Sequence, residues 1–235
     1  LNSPVSRILH QKGRVTGLEV AGEIHPAELV VSNADIVPTY RRLLPDLPAP
    51  ERTLQQPRSS SALIFYWGMD KTWPQLDVHN ILFSGDYQAE FEAIWQQQAI
   101  GPDPTVYIYV SAKQFPADAP AGKENWFVMI NVPADYGQNW EELIRQARGY
   151  ILRKLSEMLG EPVEPHICCE RMLEPRTIQS RTSSHLGALY GNSSNNRFAA
   201  FLRHPNFSSK LSGLYFCGGS VHPGGGIPLC LLSAR

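Results

Sequence analysis

Charge is scarce in this sequence, and the two signs nearly cancel. Of 235 residues, 18% are charged, and the formal net charge is −1. A nucleic-acid-binding surface needs an excess of Lys and Arg, so nothing in the long-range electrostatics points to nucleic acid, and none is expected as a partner. Cysteine is sparse too. Cys168, Cys169, Cys217 and Cys230 show no C-x-x-C spacing, and adjacent cysteines rarely bridge each other. Free thiols in a reducing, cytoplasmic compartment are the expectation. Only His166 lies near a cysteine in sequence, and without a second ligand pair no metal site is expected. No apolar run approaches the ~20 residues of a membrane-crossing helix. The opening Leu1-Asn2-Ser3-Pro4 lacks the charged-then-apolar pattern of a signal peptide, and there is no initiator Met. The chain reads as cut from something longer, and it ends at Ser233-Ala234-Arg235 inside an apolar helical pattern.

What is present is ordinary globular material: 43% apolar residues in a chain long enough for a sizeable core. Residues 6–9 and 15–20 read as strands around Gln11-Lys12-Gly13, with a short third strand at 23–27. The compact run Leu29-Val30-Val31 leads into Ser32-Asn33-Ala34-Asp35 and then a helical pattern over 36–44, a strand-to-helix turn with Asp35 as N-cap. Pro45, Pro48, Pro50 and Pro57 mark a linker or domain crossing. Beyond it come β-prone runs at 61–68, 80–83, 105–111 and 125–132, and a helix at 86–98. Leu143, Ala147, Tyr150, Ile151, Leu155 and Leu159 recur at helical spacing over 140–159, with Gly160 as C-cap. A strand at 167–171, a helix at 175–183 and a buried strand at 213–217 complete the pattern, before a glycine-rich loop and an apolar segment. The fold class is mixed α/β. The two ends, 1–44 and 205–235, each show strand, small-residue turn and helix, and the middle, 45–204, suits a sheet covered by helices on one face.

The sharpest motif is Gly218-Gly219-Ser220-Val221-His222-Pro223-Gly224-Gly225-Gly226-Ile227-Pro228. It follows a buried strand and precedes a helical run. Glycine needs no Cβ clearance, so backbone there can approach a ligand closely. Free N–H groups at a helix start favour phosphate or electron-rich ring atoms, and Pro228 suits the first helical turn. This is a cofactor-cradling loop, or else a flexible glycine turn.

Run together with Leu214-Tyr215-Phe216-Cys217, the loop resembles the C-terminal flavin motif of the phytoene-desaturase family. Other stretches resemble that family in the same order. They are Val30 to Asp35, His79 to Ser84 with Tyr87, Asp103-Pro104-Thr105-Val106-Tyr107, Ala119 to Asn125, Tyr190-Gly191, Ser193-Ser194-Asn195, and Phe198 to Arg203. The form is similar to hydroxycarotenoid 3,4-desaturase-like members. The resemblance implies an FAD-binding Rossmann-like domain from 1–44 and 205–235, and a carotenoid-binding substrate domain at 45–204. It implies removal of two hydrogens from a C–C unit, reoxidation by a quinone or other electron acceptor, and peripheral association with a membrane surface, where the polyene dissolves. Carried onto this chain, Gly218 and Gly219 lie by the pyrophosphate and ribityl chain, and Ser220 is among the cofactor-binding residues. Gly225, Gly226, Ile227 and Pro228 approach the isoalloxazine ring, and Ser32, Asn33 and Ala34 line the adenosine side. The family opens with a G-x-G-x-x-G unit that occurs nowhere here, so residues 1–235 alone are expected to bind flavin weakly or not at all.

Other candidates carry two readings. His222 assists proton removal or touches the flavin edge, or His222-Pro223 merely shapes the turn. Phe65, Tyr66, Trp67, Tyr107, Tyr109, Trp126 and Phe127 wall an apolar tunnel or fill a core; strand alternation lets about half of them do the former. Arg197, Phe198, Phe201, Leu202 and Arg203 mix basic and apolar residues as a membrane-surface segment does, or form a helix on the core. Against the desaturase stand a related flavoenzyme (a carotenoid oxygenase or a retinoid saturase) and a non-enzymatic binder of apolar ligands.

Overall fold

The computed structural model describes residues 2–195 and 201–235. It forms two compact units, one from Leu1–Ser59 with Gln179–Arg235, the other from Ser60–Ile178. The discontinuous unit therefore includes the proline-rich stretch expected to be a crossing. The reason is packing: Leu54 is buried beside Tyr40 and Leu44, with Leu47 and Ala49 against the same cluster. Ser59 N donates to Gly191 O at 2.9 Å, and Ser193 N to Pro57 O at 2.8 Å.

In chain order, β1 (Val5–Gln11), β2 (Arg14–Val20) and β3 (Glu23–Pro26) make a three-stranded antiparallel sheet. The β1–β2 turn places Lys12 and Gly13 at φ 49° and 74°, the positive values that a tight hairpin demands. Next come β4 (Val30–Ser32) and α1 (Ile36–Pro38). The helix expected over 36–44 is α-helical only for its first turn and then widens into a π-helical turn at Thr39–Leu43. α2 (Glu51–Leu54) ends this first passage.

The contiguous unit contains β5 (Ser61–Met69), β6 (His79–Leu82), α3 (Tyr87–Trp95), β7 (Val106–Tyr109), β8 (Glu124–Val132), α4 (Trp140–Leu159) and β9 (Ile167–Leu173). Its five strands pair antiparallel in the order β6-β7-β8-β5-β9. One sheet face is buried. Leu63, Phe65, Trp67 and Met69 of β5, with Trp126, Val128, Ile130 and Val132 of β8, form one core with Ala147, Ile151, Leu155 and Leu159 of α4. α4 starts where Asn139 accepts from Glu142 N at 3.3 Å and stops at Gly160, whose φ of 76° suits glycine. Glu170 takes the Trp67 indole N–H at 2.5 Å and Glu124 that of Trp126 at 2.8 Å, so both buried rings keep a polar partner.

After α5 (Pro175–Thr182), the chain closes with β10 (Leu214–Phe216) and α6 (Ile227–Ser233). β10 pairs parallel with β4, Leu214 opposite Val30 and Phe216 opposite Ser32. Leu214 and Phe216 are buried with Val30, Ile36 and Val37, while Val31 and Tyr215 face outward.

Candidate cofactor site

The parallel pairing of β4 with β10 sets the site. Cys217 N donates to Ser32 O at 3.0 Å, continuing the ladder and bringing the glycine loop alongside Ser32-Asn33-Ala34. Asn33 Nδ2 reaches Cys217 O at 3.3 Å. Gly218 has φ 106°, and a Cβ there would sit 2.8 Å from Asn33 Nδ2, so the position is closed to side chains on two grounds. The loop is tied down along its length. Gly218 N donates to Ser233 Oγ at 3.1 Å, and Asn206 Nδ2 reaches Phe216 O, His222 O and Ser233 Oγ at 3.2, 2.9 and 2.8 Å. Ser220 Oγ accepts from Ile36 N at 3.0 Å.

These bonds show how each expected residue is used. Gly218, Gly219 and Ser220 lie together beside Asn33, but the Ser220 hydroxyl is committed to the α1 backbone. The Ser32 hydroxyl is likewise engaged, 2.9 Å from Thr39 Oγ1. Asn33 is exposed, and Ser32, Asn33 and Ala34 border a pocket of about 490 Å³ with Pro4, Val5 and Ile8. Gly225 and Gly226 differ. A Cβ on Gly225 would collide with Tyr190 at 2.7 Å, whereas one on Gly226, at φ 103°, would meet nothing within 4 Å. Only Gly226 opens outward, next to Ile227, which is 80% exposed. Pro228 sits in the first turn of α6. His222 is exposed; its backbone N donates to His204 O at 2.9 Å, and its peptide to Pro223 is cis.

Three features escaped the sequence. Asp35 does cap α1, accepting from Val37 N at 3.0 Å, but it also pairs with Arg58 in the interior. His204 is buried; its Nδ1 lies 2.7 Å from Pro205 O and its Nε2 3.0 Å from the Tyr40 hydroxyl. Burial holds the His204 pKa below the ordinary imidazole value and pushes the Tyr40 phenol up. Arg203, in a segment read either as membrane surface or as a helix on the core, is 7% exposed and bonded inside the unit. Phe201 and Leu202 remain exposed, in turn backbone; Arg197 and Phe198 lie outside the described residues.

In the contiguous unit, strand alternation sorts the seven aromatics. Phe65, Trp67 and Trp126 enter the core. Tyr66 and Phe127 pair across β5 and β8 on the opposite face, and Tyr107 and Tyr109 of β7 share it. Phe127 meets Tyr66 at 5.5 Å and Tyr107 at 6.1 Å, both edge-on. A pocket of about 710 Å³ opens among Tyr66, Tyr109, Phe127 and Pro120.

The sequence profile of flavin-containing amine oxidoreductases matches residues 1–235. The chain belongs to that family. Among curated relatives it is 58% identical, over 98% of its length, to a 1-hydroxycarotenoid 3,4-desaturase of Flavobacterium sp. strain P99-3. It is 34% identical over its whole length to a 4,4'-diapolycopene oxygenase of Methylomonas sp., and 29% identical over 95% to a phytoene desaturase of Fusarium fujikuroi. The chain covers 47%, 48% and 43% of these relatives, about half of each. An oxidoreductase from Methanosarcina mazei shares the fold at TM-score 0.60 and 18% identity, covering 99% of this chain and 48% of that one. Cyclohexylamine oxidase from Brevibacterium oxydans does so at 0.54 and 15%, covering 95% and 44%.

For a flavin-containing amine oxidoreductase the cofactor is FAD, and the residues fit it on one observation. Gly226 offers side-chain-free backbone at a positive φ with open space beyond, while Gly218 and Ser220 are anchored and a Cβ at Gly218, Gly219, Gly224 or Gly225 would meet protein atoms. A flat ring can lie against such a surface without displacing anything.

Proposed function

We propose that the complete protein is an FAD-dependent oxidoreductase that desaturates a carotenoid, and that this chain supplies the far side of its flavin site and its substrate-binding sheet. The observation that carries the reading is the open backbone at Gly226 beside the anchored Gly218–Ser220 turn. The 58% identity to a hydroxycarotenoid desaturase supports the substrate class.

FAD, when bound, would supply the acceptor for the hydride lost as a C–C unit becomes C=C, the second hydrogen leaving as a proton. The protein's own residues hold and orient. Asn206 and Ser233 hold the start and the middle of the loop, at Phe216, Gly218 and His222. Asn33 and Ala34 border the pocket proposed for the adenosine side. In the contiguous unit, Tyr66, Tyr107, Tyr109 and Phe127 present ring faces and edges to an extended apolar chain, and aromatic contacts suit a conjugated polyene. His222 is exposed at the loop, and no catalytic base is assigned to it.

Among the described residues no helix is long and apolar enough to cross a membrane. Peripheral association with a membrane surface is supported by a line of aromatic residues on and before α3. Tyr87 and Phe91 lie 4.6 Å apart, Phe91 and Trp95 4.9 Å, and Phe83 is 68% exposed. A quinone or other acceptor then draws the electrons away.

The test is purification of the complete protein, a flavin absorption spectrum, and incubation with several carotenoids followed by product analysis. Loss of two hydrogens with a red-shifted polyene spectrum is expected. A product that gains oxygen instead makes the protein an oxygenase, as one relative is named. Absence of flavin from the complete protein overturns the reading.

A further inference from the structure

Arg203 is a buried cation whose partners are all neutral. Its Nη1 donates to Tyr190 O and Gly219 O, each at 3.1 Å; its Nη2 donates to Asn192 O at 2.7 Å and Ser194 Oγ at 3.1 Å. No described carboxylate pairs with it, and the remaining residues, 1 and 196–200, contain no Asp or Glu. Burial first, and then the like charge of Arg58, hold the Arg203 pKa below its ordinary value. Burying a cation without a counter-charge carries a desolvation cost, against which stand the hydrogen bonds to these neutral partners.

Its position supplies a reason. A Cβ on Gly224 would lie 3.1 Å from Arg203 Nε, so the guanidinium rests against the loop there, while its Nη1 holds the loop carbonyl at Gly219. The Tyr190 whose carbonyl it also holds is the residue that closes the space at Gly225. One side chain thus touches both halves of the Gly218–Gly226 loop and its backing. Several donors in a rigid fork suit this task, and an ammonium group does not reproduce them.

We propose that Arg203 is the positioning residue of the flavin cradle, and that its uncompensated charge favours the reduced, more negative state of the flavin. The inference rests on the reading of this loop as the flavin site. A hydride brings two electrons to the ring, and a cation without a counter-anion in a desolvated place lowers the energy of that state.

The experiment compares the complete protein with Arg203→Met and Arg203→Lys, measuring folding by circular dichroism, flavin dissociation and the flavin reduction potential. Arg203→Met is expected to weaken flavin retention by about tenfold or more, the scale of lost charged hydrogen bonds, and to lower the potential of the flavin that stays. Arg203→Lys is expected to weaken retention as well but to leave the potential near that of the unaltered protein. Unchanged retention and potential in the folded Met variant overturn the proposal. A Lys variant with a fully lowered potential overturns its charge component. If the Met variant does not fold, the Lys variant decides: weakened retention is expected, and unaltered retention overturns the positioning role. An unaltered complete protein that carries no flavin would sink the underlying cofactor reading instead, a result separate from all of these.

Discussion

Asp35 and Arg58 form an ion pair inside the discontinuous unit, with side-chain exposures of 6% and 3%. The pair joins the first turn of α1 to the end of the proline-rich stretch. Arg58 Nη1 extends the network to Asn192 Oδ1 at 2.7 Å, and His185 N donates to Asp35 at 3.2 Å. Removing one partner leaves the other charge buried. Asp35→Asn keeps an oxygen that can cap the helix, so its expected loss of about 3–5 kcal/mol in unfolding stability comes from the broken pair. Chemical denaturation of the variant beside the unaltered protein checks this; unaltered stability would mean that the pair contributes nothing.

Gly226 invites a paired substitution. Gly226→Val is expected to strip flavin from the complete protein, because the branched side chain would occupy the open space beside the loop. Positive-φ strain is a competing cause, so Gly22→Ala serves as control: Gly22 has φ 83° and also nothing within 4 Å, but lies in the β2–β3 turn. The control is expected to keep its flavin. Equal flavin content in both proteins by absorbance would remove Gly226 from the site.

The two faces of β8 predict opposite phenotypes for neighbouring residues. Trp126 is 1% exposed in the core, and Trp126→Ala is expected to cost about 3–5 kcal/mol. Phe127, next in sequence, faces the open side. Phe127→Ala is expected to cost about 1 kcal/mol or less in stability and to raise the KM for a carotenoid. Denaturation midpoints and steady-state kinetics separate the two, and a stability loss at Phe127 matching that at Trp126 would place both in the core.

Acid should weaken the floor of the glycine loop. His204 has its folded-state pKa depressed by burial, so above the ordinary imidazole value of about 6.5 neither state holds the extra proton and stability is full. As pH falls below about 6.5, the unfolded chain binds a proton that the folded one resists, and stability drops until the folded pKa is reached. His185 is depressed in the same direction, by burial first and then by Arg58. The melting temperature is expected to decline below about pH 6.5, with a shallower slope in His204→Gln. An identical slope would show that His204 is not responsible.

Local signals were readable in the sequence wherever neighbours in the chain decide the structure. α4 follows its apolar repeat from Trp140 to Leu159 and stops at Gly160, and the strand before the glycine loop lies where its apolar run placed it. The π-helical turn at Thr39–Leu43 was not readable, because it brings Tyr40 against His204 and Phe216, residues far along the chain. The place of Arg203 was left open between surface and core for the same reason. Its neighbours suggest a surface, and only the convergence of carbonyls from Tyr190, Asn192 and Gly219 makes an interior place for a guanidinium. The glycine loop itself was legible, but not that Tyr190 shuts Gly225 while Gly226 stays open.

The parallel partnership of β4 with β10 also fixes an order of assembly. During synthesis Val30–Ser32 leaves the ribosome long before Leu214–Phe216 exists, while the intervening unit, Ser60–Ile178, can collapse on its own. The glycine loop thus takes its seat beside Ser32 only after the whole of the intervening unit has left the ribosome.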